Sequence, residues 1–383
     1  MKKRFNILAR GKDSESWWQR QDWYLNAAAF SLSAIGLLLV WGASRPRLTA
    51  SGGDPNAYLY RHAANIIVGI LLGYIISRSK YTLLRAYAPI LYVIGFLGLI
   101  AVLIIGFEIN GVKAWIQLPL GFTLQPSEFA KIALVLGMAM ILAETRQRGF
   151  EPENREVIIS LSLAAFPLAL IMLQPDLGTA IVISMTVLGV LAVAGVSFRW
   201  LVGLVSAGIL LIVAVLALDL LDEYQINRLI VFLDPMIDPL VTGYNIIQVK
   251  LAIGSGGFGG TGLFNGPLTN GGFVPEQQTD FIYSVAGEEF GFVGSFTIIL
   301  LLGFICWRAL KIARESSDLF GRIAATGVAV WFGFQTFESI GMNLGIMPIT
   351  GVPLPFVSYG GTATFAVWMG IGLLQNIKSR LTE

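Results

Sequence analysis

Four carboxylates fall within fourteen residues of one another in the segment VPEQQTDFIYSVAGEEFGFVG, residues 274–294, where a long polar stretch gives way to an apolar run. They are Glu276, Asp280, Glu288 and Glu289. Asp280 directly precedes the apolar run, so its side chain could simply accept the free N–H groups at a helix start. A carboxylate held at a membrane surface under a large loop could instead act as a general base or bind a substrate arriving from the bilayer.

A second polar cluster, QPSEFAK, occupies residues 125–131 at the start of another apolar run. Glu128 and Lys131 are three residues apart, so they share one face of a helix and can pair. Ionised groups inside a spanning helix are costly unless they pair or line a wet cavity. Two interpretations follow: a buried ion pair that fixes helix packing, or a pocket wall that meets an anionic lipid head group.

Further polar side chains cluster near the same predicted surface. Asp176, in QPDLGTA, is predicted to cap the next helix. Lys113 lies in a predicted outer loop, from which it could reach a cavity at the outer surface shared with these polar residues. The stretch 342–361 holds three prolines and four glycines, which forbid a regular helix, and such backbone is tolerated near a membrane only when it is buried or lines a cavity. We therefore expect this stretch, with Ser358, to form one wall of the site.

The composition indicates a polytopic membrane protein: of 383 residues, 55% are hydrophobic and 13% are charged. The net charge of +2 is too small to indicate nucleic-acid binding. The single cysteine and the single histidine, His62, exclude an internal disulfide, a thiolate cluster and His-based metal sites. Catalysis would have to use carboxylates, lysines or arginines. His62 itself is predicted to be an interfacial residue before the second helix.

The predicted fold is an all-α polytopic membrane protein with ten transmembrane helices and a large extracellular loop that contains short surface helices. Residues 1–24 form a charged cytoplasmic tail, and residues 25–383 form a single transmembrane domain. Spanning helices need about 20 apolar residues. The apolar runs are 25–43, 63–78, 86–107, 127–143, 157–173, 177–197, 200–221, 281–307, 323–342 and 359–377.

The distribution of basic residues orients the chain. With the N-terminus inside, 19 of the 26 Lys and Arg residues fall in cytoplasmic segments, so the positive-inside rule places both termini in the cytoplasm. Residues 222–280 then form the extracellular loop, in which Arg228 and Lys250 lie in two short amphipathic segments. The glycines of 254–262 either let a tight loop fold against the bundle or let backbone N–H groups approach a phosphate.

Four sequence blocks resemble the SEDS family of bacterial cell-wall proteins: NGVKAW with QPSEFAK, QPDLGTA, PEQQTDFIYSVAGEEFGFVG, and GIMPITGVPLPFVSYGG. The segment FLDPMIDP followed by GYNIIQ is more similar to the RodA branch than to the FtsW or SpoVE branches. The chain departs from the family at Gln278, where many members have histidine before the TD, and at Ser339, where Asn is usual. Gln278 argues against a histidine proton relay.

The resemblance implies a peptidoglycan glycosyltransferase that polymerises lipid II at the outer face of the bacterial cytoplasmic membrane, in cell elongation. It implies that Asp280 is required for polymerisation and that Glu128 and Lys131 are functionally important. It also implies a class B penicillin-binding protein, which cross-links the growing glycan strand, and other elongation-complex membrane proteins as partners.

The predicted mechanism is direct displacement at an anomeric carbon, with Asp280 as the base that takes the proton of the attacking hydroxyl. The leaving pyrophosphate would be neutralised by basic residues or by a divalent cation, Mg²⁺ or Mn²⁺. The predicted substrate-binding residues are Glu128, Lys131, Lys113, Asp176, Arg228, Lys250 and Ser358. A lipid II flippase or other cell-wall transporter, a division or sporulation polymerase and a non-catalytic scaffold remain alternatives.

Overall fold

The computed structural model describes residues 16–109, 111–117, 123–144, 152–218, 223–239 and 243–380. Most of the predicted tail, 1–24, lies outside these residues. The first helix begins at Trp23, two residues before the predicted boundary, because Asp22 accepts a hydrogen bond from the backbone N–H of Leu25 at 3.1 Å. Asp22 also pairs with Arg308, which ties the start of this helix to the eleventh helix.

Thirteen helices and three strands make up the described chain. The helices are α1 (Trp23–Ala50), α2 (Ala57–Arg78), α3 (Tyr81–Ile105), α4 (Pro126–Glu144), α5 (Asn154–Met172), α6 (Leu177–Val193), α7 (Phe198–Ala217), α8 (Glu223–Leu233), α9 (Tyr244–Ser255), α10 (Pro267–Asn270), α11 (Ile282–Glu315), α12 (Leu319–Leu344) and α13 (Gly361–Arg380). The strands are β1 (Phe107–Ile109), β2 (Val112–Gln117) and β3 (Thr123–Leu124).

The small antiparallel sheet corrects the prediction of an all-α fold. Its strand order is β1-β2-β3, and it connects α3 to α4. A tight turn at Gly111, with φ +84°, joins the first two strands. The apolar and aromatic side chains of β2 favour extended backbone, a signal too short to stand out beside the long apolar helices.

In the described residues, ten helices have 17 residues or more, and each overlaps one predicted apolar run. Seven of these are long and apolar enough to cross a membrane: α1, α2, α3, α4, α5, α7 and α11. α6 is shorter, and α12 and α13 bury polar side chains such as Gln335, Glu338 and Gln375. The chain is therefore a mostly helical protein with several apolar spans, and the crossing of all ten helices remains a prediction.

The predicted short helices of the loop 222–280 correspond to α8 and α9, and their position outside the cell stays a prediction. The glycine segment 254–262 packs against α11, which supports the first of its two interpretations. The α11 backbone is non-helical at Gly291, with φ +64°. The backbone carbonyls that this interruption of α11 leaves unpaired accept hydrogen bonds from the glycine segment. Thr261 N–H donates to Glu288 O at 2.9 Å, and Gly262 N–H donates to Glu289 O at 3.0 Å.

α2 and α13 pack closely along their length because small residues face each other. A Cβ atom placed on Gly73 would lie 2.5 Å from the carbonyl oxygen of Trp368. At the end of α2, the Asn376 side-chain amide donates to the carbonyls of Ile76 at 2.8 Å and Ser79 at 2.6 Å. The packing of α2 against α13 therefore fixes these two helices relative to each other along their length.

Candidate active site

A cavity of about 310 Å³ lies where the N-terminal ends of α4, α6 and α13 meet two irregular segments, 271–281 and 345–360. Its acidic lining residues are Glu128, Asp176, Glu276 and Asp280, and Arg61 is the single basic residue among the described lining residues. The three helix N-termini carry partial positive charge from unpaired backbone N–H groups. The cavity thus combines carboxylates, which can accept protons, with donors that can bind an anion.

Asp280 is a lining residue and does not occupy the N-cap position of α11. That helix begins at Ile282, and the residue at its N-cap position is Phe281. A Cβ atom placed on Gly351 would lie 3.3 Å from Asp280 Oδ2, so the carboxylate faces a glycine of the segment 345–360. The Asn343 side chain donates to the Asp280 carbonyl oxygen at 3.1 Å and fixes the backbone there.

The segment 271–281 is held from three sides. Gln277 Nε2 donates to the carbonyl of Ala43 at 2.6 Å, which connects the segment to α1. Tyr359 N–H donates to the Gln278 carbonyl at 2.9 Å, which connects it to the segment 345–360. Glu276 has φ +48° in a turn whose carbonyl accepts from Thr279 N–H at 3.1 Å. These contacts determine where the Asp280 carboxylate lies.

Glu288 forms the third connection, although it lies on α11 outside the cavity lining. Its Oε1 accepts from Leu268 N–H at 2.7 Å, and its Oε2 accepts from Thr269 N–H at 2.8 Å and Thr269 Oγ1 at 2.6 Å. Thr269 in turn accepts from Gln277 through its carbonyl. A buried carboxylate therefore ties the short helix α10, and through it the segment that bears Asp280, to the bundle.

We expect Glu288→Ala to destabilise this loop by about 2–5 kcal/mol, because the backbone N–H groups of Leu268 and Thr269 lose their acceptor. Limited proteolysis should then cut residues 254–280 more rapidly than in the wild type. Glu288→Gln, which keeps one acceptor, should have a smaller effect, and Glu315→Gln on the exposed end of α11 should have none. Equal proteolysis of Glu288→Ala and wild type would contradict this role.

Glu128 and Lys131 pair as predicted, with Nζ and Oε1 2.8 Å apart and both side chains buried. Lys131 Nζ also donates to Gln335 Oε1 at 2.9 Å and lies 5.1 Å from the ring centre of Trp331. Glu128 lines the cavity, and Lys131 lies behind it, outside the lining. The predicted buried ion pair is thus confirmed, and its acidic member forms part of the cavity wall, while contact with an anionic lipid head group stays a prediction.

The pair continues into a polar network. The Gln335 side chain accepts from Lys131 and from Trp331 Nε1, the latter at 2.7 Å, and its Nε2 donates to the Pro353 carbonyl at 2.9 Å. Three elements meet in this network: α4, α12 and the segment 345–360. The cavity wall therefore depends on a cation that does not itself line the cavity.

Asp176 caps α6, as predicted: Oδ1 accepts from Thr179 N–H at 3.0 Å. Oδ2 accepts from Gln125 Nε2 at 3.2 Å, and the carboxylate also lines the cavity. Burial raises the pKa of this carboxyl, and the charge of Glu128 raises it further, against the opposing effect of the Thr179 hydrogen bonds. Asp176 is consequently the cavity residue that burial and a neighbouring carboxylate bias toward its neutral form.

Two predicted substrate-binding lysines do not line the cavity. Lys113 Nζ donates to the Leu103 carbonyl at 2.8 Å, near the C-terminus of α3. Lys250 lies beside the C-terminal end of α12, where a Cβ atom on Gly345 would be 2.5 Å from its Nζ. A role for either lysine in substrate binding stays a prediction, and for Lys113 the Leu103 carbonyl at a helix C-terminus is a competing partner.

Three further predictions have different outcomes. Ser358 is buried and holds a turn, with Oγ accepting from Leu354 N–H at 2.8 Å, and it does not line the cavity. The side chain of Arg228 lies outside the described part of the chain. His62 is buried inside α2, with its ring centre 5.7 Å from that of Tyr359, so the prediction of an interfacial position before the helix was wrong.

Sequence reasoning missed Arg61 and Asn65, which lie one helical turn apart on α2 and both line the cavity. They face it because α2 packs on α13, a contact that no sequence motif records. It also missed Tyr359 and Thr350, although both lie in the quoted block GIMPITGVPLPFVSYGG. Burial raises the pKa of the Tyr359 hydroxyl, which keeps it a neutral donor.

The family profile described as "Cell cycle protein", which covers FtsW, RodA and SpoVE, matches residues 22–383. The chain belongs to the SEDS family. Among its relatives, it is 35% identical to the peptidoglycan glycosyltransferase MrdB of Escherichia coli K12, covering 91% of this chain and 90% of MrdB. It is 34% identical to the probable peptidoglycan glycosyltransferase FtsW of Neisseria gonorrhoeae, covering 90% and 82%.

Other SEDS proteins match equally well. Stage V sporulation protein E of Bacillus subtilis is 34% identical, with 90% of this chain and 93% of that protein covered. One solved structure is described as the structural coordination of polymerisation and crosslinking by a peptidoglycan synthase complex. A chain of it superposes on this protein with a TM-score of 0.78, at 32% identity, covering 94% of this chain and 98% of that chain. Thermus thermophilus RodA superposes with a TM-score of 0.67, at 30% identity over 94% and 97%. Sequence identity alone therefore does not assign this chain to the FtsW, RodA or SpoVE branch of the SEDS family.

Proposed function

We propose that this SEDS protein is a peptidoglycan glycosyltransferase that polymerises lipid II, with Asp280 as the general base. The observation that carries the proposal is the convergence of Glu128, Asp176 and Asp280, from three separate sequence blocks, on one cavity at the ends of helices. The relatives named as peptidoglycan glycosyltransferases support it.

The reaction is a direct displacement. The 4-hydroxyl of one disaccharide attacks the anomeric carbon that bears the pyrophosphate of another chain, and Asp280 takes the hydroxyl proton. A new C–O bond forms as the bond to undecaprenyl pyrophosphate breaks, so an α-linked donor gives a β-1,4 link. A single displacement inverts the carbon, and no second nucleophilic carboxylate is required.

The leaving pyrophosphate is bound by Arg61 together with the N-termini of α4, α6 and α13. Four carboxylates would repel this anion if all were ionised, and the raised pKa of Asp176 reduces that repulsion. In the described residues, no three His, Cys, Asp or Glu side chains lie close enough to hold a metal ion. We therefore assign no step to a resident metal.

We expect Arg61→Gln to lower kcat/KM for lipid II roughly tenfold to a hundredfold, the range for loss of a hydrogen bond to a charged group. The side chain is exposed, so folding should be preserved, and Arg61→Lys should keep part of the activity. Arg47→Gln, at an exposed position on α1 outside the cavity, is the matched control. Wild-type kinetics in Arg61→Gln would remove this residue from the site.

The proposed partner is a class B penicillin-binding protein, since a similar chain comes from a synthase complex in which polymerisation and crosslinking are coordinated. The proposed biological role is cell elongation, supported by the RodA-like segments 232–239 and 243–248. We also propose that both termini are cytoplasmic and that the cavity opens at the outer face, on the basis of the basic-residue distribution.

The direct test is glycan polymerisation from purified lipid II in proteoliposomes that contain this protein, with and without the partner transpeptidase. Long glycan chains with β-1,4 links are the expected product. A lipid II flippase is the alternative outcome: no polymer would form, and lipid II would cross the bilayer. The position of the cavity at the ends of three helices, rather than midway along them, favours the transferase.

A further inference from the structure

A second cavity, of about 350 Å³, lies at the other ends of α2 and α13. Four basic residues line it: Arg20, Arg78, Lys80 and Arg380. No acidic residue is among its described lining residues, and the Thr82 hydroxyl adds a polar group. This cavity has the composition of a site for a phosphate group.

Contacts of Trp17, Tyr81 and Asn376 fix the walls of this basic cavity. The Arg78 guanidinium carbon lies 5.1 Å from the ring centre of Trp17, a cation–π contact that positions the side chain without neutralising it. Tyr81, on the opposite wall, donates to Asp318 at 2.5 Å. Asn376 holds the end of α2 through the carbonyls of Ile76 and Ser79.

An apolar groove of about 170 Å³ adjoins the basic cavity, and Trp17 and Ser77 line both. The groove runs between α1, α2 and α13, with walls that include Phe30, Ile70 and Trp368. Phe30 is 44% exposed, so the groove opens on the side of the bundle where a membrane would contact it. A phosphate site is thus continuous with a groove that fits a hydrocarbon chain.

We propose that the basic cavity and the adjoining groove bind one anionic phospholipid of the membrane. Its phosphate head group occupies the basic cavity, and part of an acyl chain occupies the groove past Trp17. A soluble phosphate would offer the same charge, but it would leave the groove empty. The positive-inside distribution predicts that this end faces the cytoplasmic leaflet, where juxtamembrane basic clusters bind anionic lipids.

The test uses the full chain purified in a neutral detergent, with native mass spectrometry and thermal unfolding as readouts. Phosphatidylglycerol, phosphatidylcholine and water-soluble glycerol 3-phosphate are the three probes. Wild-type protein should retain phosphatidylglycerol and unfold at a higher Tm in its presence, with no rise from the other two. The double variant Arg78→Gln/Lys80→Gln should bind phosphatidylglycerol roughly thirtyfold more weakly, from two surface charges near the head group.

The matched control is Arg314→Gln/Arg322→Gln, which removes two exposed charges at the same end of the bundle but outside the cavity. It should bind phosphatidylglycerol as the wild type does. Equal weakening in both double variants would overturn the site, because it would show only a general attraction to basic surface. A Tm rise with glycerol 3-phosphate equal to that with phosphatidylglycerol would also overturn it, because the groove would then have no part in binding.

Discussion

Asp280→Asn should reduce glycan polymerisation at least about a hundredfold, the lower end of the range for loss of a general base. The amide has nearly the same shape as the carboxylate but cannot take the proton of the attacking hydroxyl. Two local contacts, from Asn343 to the Asp280 carbonyl and from Tyr359 to the Gln278 carbonyl, involve backbone acceptors that the substitution keeps.

The measurement is polymer length and initial rate from lipid II in proteoliposomes, with the unfolding temperature recorded for each variant. Asp54→Asn is the matched control, since Asp54 is exposed near the end of α1 and does not line the cavity. Polymerisation by a folded Asp280→Asn protein at more than a tenth of the wild-type rate would reject Asp280 as the base. If the protein were instead a non-catalytic scaffold, the complex of Asp280→Asn with its partner would polymerise lipid II at such a rate.

Lys131→Met should have the second largest effect, for a different reason. It removes the cation from a pair in which Glu128 is only 1% exposed, and breaking such a buried pair typically destabilises a protein by about 3–5 kcal/mol. Gln335 would lose one of its donors, so the contact between α4, α12 and the segment 345–360 would weaken. We expect a lower Tm and loss of polymerisation together.

A double-mutant cycle separates structure from substrate binding. The double variant Glu128→Gln/Lys131→Met leaves no unpaired charge at positions 128 and 131. Its Tm should therefore recover most of what Lys131→Met loses. Polymerisation should recover only in part, since the cavity then lacks the Glu128 carboxylate. Lys311→Met, at a partly exposed position on α11, is the control for removing a lysine. A Lys131→Met protein that keeps the wild-type Tm and yet cannot bind lipid II would show that Lys131 contacts the substrate directly.

Local signals predicted much of this fold. Apolar runs located the ten long helices, because an amphipathic or apolar segment must be helical to satisfy its backbone in lipid. Asp176 was predicted as a helix cap and Glu128 as a partner for Lys131, since both contacts span only three residues. The strands 107–109 and 112–117 were not predicted, although the Asn-Gly pair at 110–111 is a strong hairpin signal, because the first strand has only three residues and directly follows the apolar run of α3.

The cavity was only partly predictable. Lys113 and Lys250 have the charge that a pyrophosphate site needs, and sequence reasoning predicted that both lie outside the cell near the site. The tertiary structure instead places each of them near a helix C-terminus, Lys113 by α3 and Lys250 by α12, outside the lining of the cavity. Arg61 carries no motif, and it reaches the cavity because α2 packs against α13 through small residues.

The sequence by itself determined the membrane class, the long helices, the SEDS family and the carboxylates Asp280 and Glu128, because these follow from composition and from contacts or motifs that are local in the chain. Only the tertiary structure decided which charges share a cavity. Asp280 meets Gly351, and Glu288 holds α10, across many intervening residues. Such contacts depend on how irregular segments close over the bundle, and nothing in the local sequence encodes the distance between their side chains.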